Sequence, residues 1–422
     1  MGSGTQPQPD IGLAEKLFDR LAADTADPPG VTRQAYGAGE QKAHDLVAEC
    51  GSALGLEVDR DFVGNTYLTL PGSDRTAPKI LVGSHMDSVP HGGNFDGAAG
   101  VVCGIAALAG LRHAGTPPRR DVTVMAIRAE ESCWFPASYI GSRMALGRLP
   151  PGMVDTLRRS DTGRTLAEHI GALGFDPDPV RQSRPYLHPE RLACYIEPHI
   201  EQGPVLDEQH LPIAIVEAVT GGARYREGRI FGAYDHAGAA PRRFRHDAVA
   251  ALGEFITGVN DMWRHLESEG HYSVFTFGII GTDPAMHSFS RVPGEARFCL
   301  DSRGIRPETI AEIRSRLASL IEHVSERHGV RFELGPDSGP DIAAMAPSIR
   351  SGLIEAAQAL GIPFHTMPSG AGHDAAAFAW AGVPTGMIFI RNVHGSHNAD
   401  EKMDIGDFEK ASAVLTRFIA AS

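Results

Sequence analysis

Apolar and polar positions follow two different rhythms along this chain. Up to about residue 220, short apolar runs alternate with stretches of helical spacing. Residues 79–84 (KILVGS), 121–128 (DVTVMAIR) and 193–198 (ACYIEP) read as buried strands. Between the first two, residues 97–114 are rich in Ala and Gly and carry Val101, Val102, Ile105 and Leu108. That composition predicts a helix able to pack closely on a sheet, and strand, helix, strand is a βαβ unit. Ala43, Leu46, Val47, Cys50 and Leu54 recur at the spacing of one helix face over 40–55. An α/β layer architecture follows.

From about 220 to 335 the rhythm changes. The pattern predicts a strand at 223–234, a helix at 247–266, strands at 271–280 and 295–303, a helix at 307–328 and a strand at 330–334. Asp247 and Pro307 are suited to start the two helices. The order βαββαβ is that of a small ferredoxin-like sandwich. A helix (351–360), an apolar strand (384–390) and a final amphipathic helix (407–421) then resume the first rhythm. The expectation is a mixed-sheet α/β catalytic domain built from 1–218 and 336–422, with a ferredoxin-like lid and dimerisation domain, 219–335, inserted between.

Charge narrows the partners. Lys and Arg number 39 against 52 Asp and Glu, a formal charge of −13. Nucleic acid and anionic membranes need a basic face, so neither is expected; a small anionic substrate needs only one local cation. The five cysteines are odd in number and lack CxxC spacing, which suits free thiols in a reducing compartment. With no signal-like leader and no apolar run of membrane-spanning length, a cytoplasmic enzyme is expected. The opening Met1-Gly2-Ser3-Gly4 reads as an appended tag.

The candidate chemistry sits where the apolar strands end. The first runs into His85-Met86-Asp87, the second into Glu130-Glu131, the third into His199-Ile200-Glu201-Gln202-Gly203, and 386–391 (GMIFIR) leads to His394-Gly395-Ser396-His397. Ligands of open α/β sheets bind beyond the carboxyl ends of the strands. Asp96, after a Gly92-Gly93 turn and just before the 97–114 helix, is a donor to the same site, a helix N-cap, or both, since the two roles are compatible. Singly, each of these residues has an ordinary structural reading: a sheet-end histidine, a solvated acidic pair. Together, three imidazoles and two carboxylates form a mixed N/O set that suits zinc, with manganese or cobalt as substitutes. Five donors exceed one catalytic zinc and suit two metals sharing a carboxylate.

The strings GSHMDSVPHGGNFDGAAGV (83–101), AEES (129–132), YIEPHIEQGPVL (195–206), DHAGAAP (235–241) and SGAGHDA (369–375) resemble the dinuclear-zinc peptidase and aminoacylase superfamily. They are most similar to its hydantoinase/carbamoylase branch, the N-carbamoyl-L-amino acid hydrolases and allantoate amidohydrolases, over nearly the whole chain from about residue 40. The resemblance implies two divalent metal ions per chain, His85 and His199 on one, Glu131 and His397 on the other, and Asp96 bridging. It further implies Asp87 orienting His85, Glu130 as general base toward a metal-bridging hydroxide, and His236 as an oxyanion donor that can reach across a homodimer. Gln202, Ser290, Arg303, Ser369 and Gly370 match substrate-binding positions. Arg303, read as ending a strand whose inward face is otherwise apolar, would grip a substrate carboxylate bidentately; Asp301 is its alternative partner.

Four departures affect substrate choice. Ser290 stands where the branch has Asn, HAGAAPRRFRHDA replaces the usual HAGTTPM, AEES runs into CWF without the usual Gly-Ser-Arg-Phe continuation, and IRNVHGSHNADE is one residue short and adds Arg391. The expected activity is hydrolysis of an N-carbamoyl or related N-acyl amino acid. Allantoate or ureidopropionate hydrolysis, or N-acyl amino acid deacylation or exopeptidase action on the same scaffold, are the alternatives. A non-catalytic metal protein has no need of Glu130. Neither GxSxG nor GxGxxG occurs, which removes serine-hydrolase and dinucleotide readings.

Overall fold

The computed structural model describes residues 7–115 and 117–422, so the opening residues 1–4 lie outside the described part. The chain divides into two compact units: a larger one drawn from both ends, up to Glu217 and from Ala344, and a smaller one, Ala218–Ala343.

The larger unit is organised by one mixed sheet. Its centre is four neighbouring strands, Thr385–Ile390, Leu192–Ile200, Lys79–His85 and Val122–Ile127, paired parallel throughout. Their near-continuous apolar runs are what a parallel sheet covered on both faces requires. Thr66–Leu70 and Ile213–Val219 flank this centre antiparallel. Because the four central strands are adjacent and parallel, their carboxyl ends share one edge, and the four motif-bearing segments emerge there.

Helix Ala98–His113 is buried over almost its whole length, beginning one residue later than the pattern suggests. Its small residues serve contact: a Cβ on Gly100 would lie 2.0 Å from the Pro198 carbonyl oxygen. The terminal helix, Ile405–Ala421, packs beside it and contributes Phe408, Val414 and Leu415 to the same core. Helices Ala38–Ala53 and Pro347–Ala359 stand where helical spacing placed them.

In the smaller unit the antiparallel strand order is Ser273–Thr276, Glu295–Gly304, Gly221–Phe231, Arg331–Glu333. Helices Ala248–Ser268 and Pro307–His328 pack Phe255, Leu252, Ile313 and Leu317 against Ile230, Phe298 and Leu300. The Asp247 carboxylate accepts the Val249 and Ala250 N–H groups, and Pro307 occupies the first helical turn.

Two expectations are corrected here. The strand expected over 271–280 is broken into Ser273–Thr276 and Ile280–Thr282. Thr276 pairs with Asp301 and Ile280 with Phe298, so four steps along this strand oppose three on its partner, and an extra residue of that kind ends regular pairing. The unit also continues past 335: Asp337 accepts the Arg224 N–H, the Ser338 N–H donates to the Arg224 carbonyl, and the Gly222 N–H donates to the Pro340 carbonyl.

Candidate metal centre

His85 ends its strand and His199 lies inside its own, and the rings meet across the sheet edge with Nε2 atoms 3.5 Å apart. Each Nδ1 faces a backbone carbonyl, His85 to Asp87 at 3.0 Å and His199 to Ile200 at 2.8 Å. A carbonyl only accepts, so each Nδ1 carries the proton and each Nε2 presents its lone pair. The Asp87 carboxylate, expected to orient His85, stands beside the same ring nitrogen. It lies 3.4 Å from His85 Nδ1, while its two oxygens accept the Glu130 and Glu131 backbone N–H groups at 3.0 and 3.1 Å.

Asp96 is not a helix cap: the N-cap position is Gly97, and no side chain caps this helix. Its carboxylate turns toward the histidines instead. Oδ1 lies 3.4 Å from His85 Nε2 and 3.2 Å from His199 Nε2, and Oδ2 lies 3.2 Å from His397 Nε2. His397 Nε2 is also 3.2 Å from Glu131 Oε1. Gly97, at φ 67°, makes room, since a Cβ there would sit 2.5 Å from the His85 ring.

These donors fit divalent cations. His85, Asp96 and His199 form one group able to hold an ion, Asp96, Glu131 and His397 another, and His85, Glu130 and Glu131 a third. Separations of 3.2–3.5 Å within the first group match the edge of a tetrahedron with bonds of ~2.0–2.1 Å. Asp96 Oδ1 is buried without a hydrogen-bond partner, a costly state unless a cation faces it.

The local field has the same sense. Hydrogen bonds donated to Asp96 and then to Glu131 raise the His397 pKa to about 10. Burial drives the Glu130 carboxyl well above its usual range, His85 opposing and Glu131 adding to the rise. Glu130 Oε2 is 4.0 Å from His85 Nε2. Ala129, Gln202, His394 and His397 take left-handed φ angles of 52°, 65°, 68° and 61°, and strain of this kind gathers at functional sites.

The remaining candidates divide. Gln202 donates through Nε2 to Asp96 Oδ2 at 3.0 Å, and its buried Oε1 has no partner. The Ser369 hydroxyl donates to the Ala371 carbonyl and lies 2.9 Å from His373 Nε2, so it braces its own loop, which continues through Gly370. His236 and Ser290 are neighbours in the smaller unit: Asp235–His236 pairs with Arg291–Val292, and the Ala237 N–H donates to the Ser290 carbonyl. His236 Nδ1 accepts the Gly238 and Ala239 N–H groups, both at 3.1 Å, which leaves its proton on Nε2.

Arg303 is paired with Asp301, its alternative partner. Ala296, Phe298 and Leu300 are buried, while Asp301 and Arg303 share the other, half-buried face of the strand. Asp301 takes Arg303 in a forked pair with contacts of 2.7 and 3.2 Å and also accepts Arg224 Nε at 3.0 Å.

Motif reading missed the groups that hold the donors. Glu401 accepts the Phe95 and Asp96 N–H groups and the Ser396 hydroxyl, which is also 2.6 Å from Asp96 Oδ2. Arg33, fully buried, donates to the Met86 carbonyl and to Asn94. Neither position carries a local signal.

A sheet-edge set of three imidazoles and clustered carboxylates is the donor set that suits a metal-dependent hydrolase. The chain belongs to the peptidase family M20/M25/M40, whose profile matches residues 81–421. It is 33% identical to the N-carbamoyl-L-amino acid amidohydrolase of Geobacillus stearothermophilus, covering 92% of this chain and 93% of that one. Against the allantoate amidohydrolase of Escherichia coli identity is 30%, covering 95% of each. A solved amidase of the hydantoinase/carbamoylase family from Burkholderia multivorans superposes with a TM-score of 0.88 at 27% identity, covering 98% of both chains. No helix among the described residues is long and apolar enough to cross a membrane.

Proposed function

We propose that this chain hydrolyses an N-carbamoyl, or related N-acyl, α-amino acid bearing a free carboxylate. One observation carries the reading. Asp96 is shared by two donor groups, one oxygen to each, with a further carboxylate, Glu130, alongside His85 and Glu131. In this reading His85, Asp96, Glu131, His199 and His397 hold two divalent ions, zinc or else manganese or cobalt. Bound there, the cations supply Lewis acidity that polarises a carbonyl and makes water nucleophilic near neutral pH.

The chain's own groups do the rest. Glu130, buried and not needed as a donor, accepts a proton from the attacking water and passes it to the leaving nitrogen. Asp87 keeps Glu130 and Glu131 in register by holding both N–H groups. The Nε2–H of His236, its tautomer set by Gly238 and Ala239, donates to the developing oxyanion. Gln202 Oε1, buried and unpaired, is assigned to accept a substrate N–H. Ser290, Arg303, Ser369 and Gly370 are assigned to the substrate's amino acid portion, Arg303 acting only after exchanging Asp301 for the substrate carboxylate. A homodimer through the smaller unit belongs to the same reading, supported by exposed Ile279, Ile280, Met286 and Phe289 on that unit.

The test is a release assay for ammonia and α-amine across N-carbamoyl amino acids, allantoate, ureidopropionate, N-formyl and N-acetyl amino acids and dipeptides. Highest kcat/KM on N-carbamoyl α-amino acids is expected. A preference for dipeptides, or for substrates without a carboxylate, would overturn the proposal.

A further inference from the structure

We propose that Glu40, which lies ahead of the stretch matched by the family profile, is a positioning residue for Glu130 and Glu131, acting through the backbone of Ala129. The proposal rests on the reading of Glu130 as general base.

Strand Val122–Ile127 ends three residues before Glu130, and the chain must turn there to aim two successive carboxylates at the site. Ala129 makes the turn at φ 52°, a left-handed conformation that is uncommon for any residue but glycine. Nothing in an alanine side chain holds that angle. The hold comes from outside: the Ala129 N–H donates to Glu40 Oε1 at 2.9 Å. The next two N–H groups, of Glu130 and Glu131, donate to the two oxygens of Asp87. Three consecutive amides beyond the strand end are thus gripped by two carboxylates. The carbonyls of Arg128, Ala129 and Glu130 are held in turn by the N–H groups of Gly141, Ile140 and Tyr139.

Glu40 is itself fixed. It is fully buried, and its Oε2 takes the Tyr36 N–H at 2.8 Å and Arg128 Nη1 at 2.7 Å. Arg128, also fully buried, spends its other nitrogens on the Gly64 carbonyl and Gln41 Oε1. A buried ion pair contributes little net stability over an apolar pair of similar volume. The Glu40–Arg128 pair is therefore explained better by what it holds, the turn that presents Glu130 and Glu131, than by fold stability.

The test replaces both charges, Glu40→Leu with Arg128→Met, so that neither is left buried and unpaired. Circular dichroism and metal content should stay native, because four of the five donors lie on other segments. Since misplacement by about 1 Å can cost on the order of 10²-fold, kcat should fall by roughly that factor with KM within about threefold. Adding Ala129→Gly should recover about tenfold of the loss, because glycine enters positive φ without a tether. Full kcat in the folded, metal-loaded double variant would overturn the proposal, and so would a loss that glycine does not relieve. Should that variant fail to fold, hydrogen exchange on the unaltered chain decides. Ala129, Glu130 and Glu131 amides protected like those of the central strands support the tether, and rapid exchange at Ala129 defeats it. Glu130→Gln measured alongside separates the two failures. An active E130Q removes the base assignment, whereas an inactive E130Q beside a fully active Glu40 variant removes only the tether.

Discussion

The larger unit buries ionisable side chains, among them Arg33, Glu40, Asp87, Asp96, Arg128, Glu197 and Asp374. In the smaller unit the buried polar residues are Thr220, Ser273, Ser302 and Thr309, none of them charged, among those described. Its ion pairs, such as Arg303 and Arg224 with Asp301, stay about 30% exposed. Burying a charge costs several kcal/mol unless partners repay it, so a chain keeps such charges where they do something else. The contrast separates charges that only packing can hold from charges that solvent still reaches.

The comparison breaks most readily at Asp96. Asp96→Ala should empty both donor groups, with turnover falling below detection and metal content near zero by elemental analysis; a metal-loaded, active variant would show that the shared carboxylate is not needed. Glu130→Gln comes next. Turnover should drop by about 10²–10⁴-fold, the span of a positioned proton carrier, with metal content unchanged. His236→Ala sharpens the contrast from the other side, because it asks an exposed residue of the smaller unit for a catalytic effect. An oxyanion donor is worth roughly 10²–10³ in kcat, without loss of metal or melting temperature. Normal turnover would return His236 to the turn it braces.

Two smaller effects follow. In the metal-free protein His397 stays protonated below a pKa of about 10 because Asp96 and Glu131 face it. A cation must displace that proton, so metal affinity should rise with pH, by up to about tenfold per unit below that pKa, in titrations at pH 7 and 8. A flat profile would remove His397 from the donor set. Last, Arg303→Ala should change unfolding free energy by no more than about 1 kcal/mol, as half-exposed pairs do, while lowering kcat/KM for an acid substrate more than for its amide. Equal losses on both would leave Arg303 a surface ion pair.

Much of the larger unit was legible from pattern. Four apolar runs became the four central strands, and the polar residues after them converged because adjacent parallel strands end at one edge. The smaller unit was less legible at Arg303. Residue chemistry left a substrate carboxylate and Asp301 as alternative partners, and only the packed strand sets Asp301 against the guanidinium. Strand 271–280 failed for a related reason, since a break in pairing depends on the partner strand and leaves no mark in local hydrophobicity.

By itself, the sequence determined the donor types, their place just past or at the ends of buried strands, and the two folding rhythms, because these are short-range properties of periodicity and residue chemistry. Only the tertiary structure decided which atoms face one another. It turned Asp96 from a candidate cap into a carboxylate shared by three imidazoles, and gave Asp87 two amides to hold. It also brought Glu401 to the Asp96 backbone from 305 residues away and Glu40 to Ala129 from 89. A buried carboxylate acts through whichever N–H groups and cations packing delivers to it, and packing joins residues whose separation along the chain carries no local pattern.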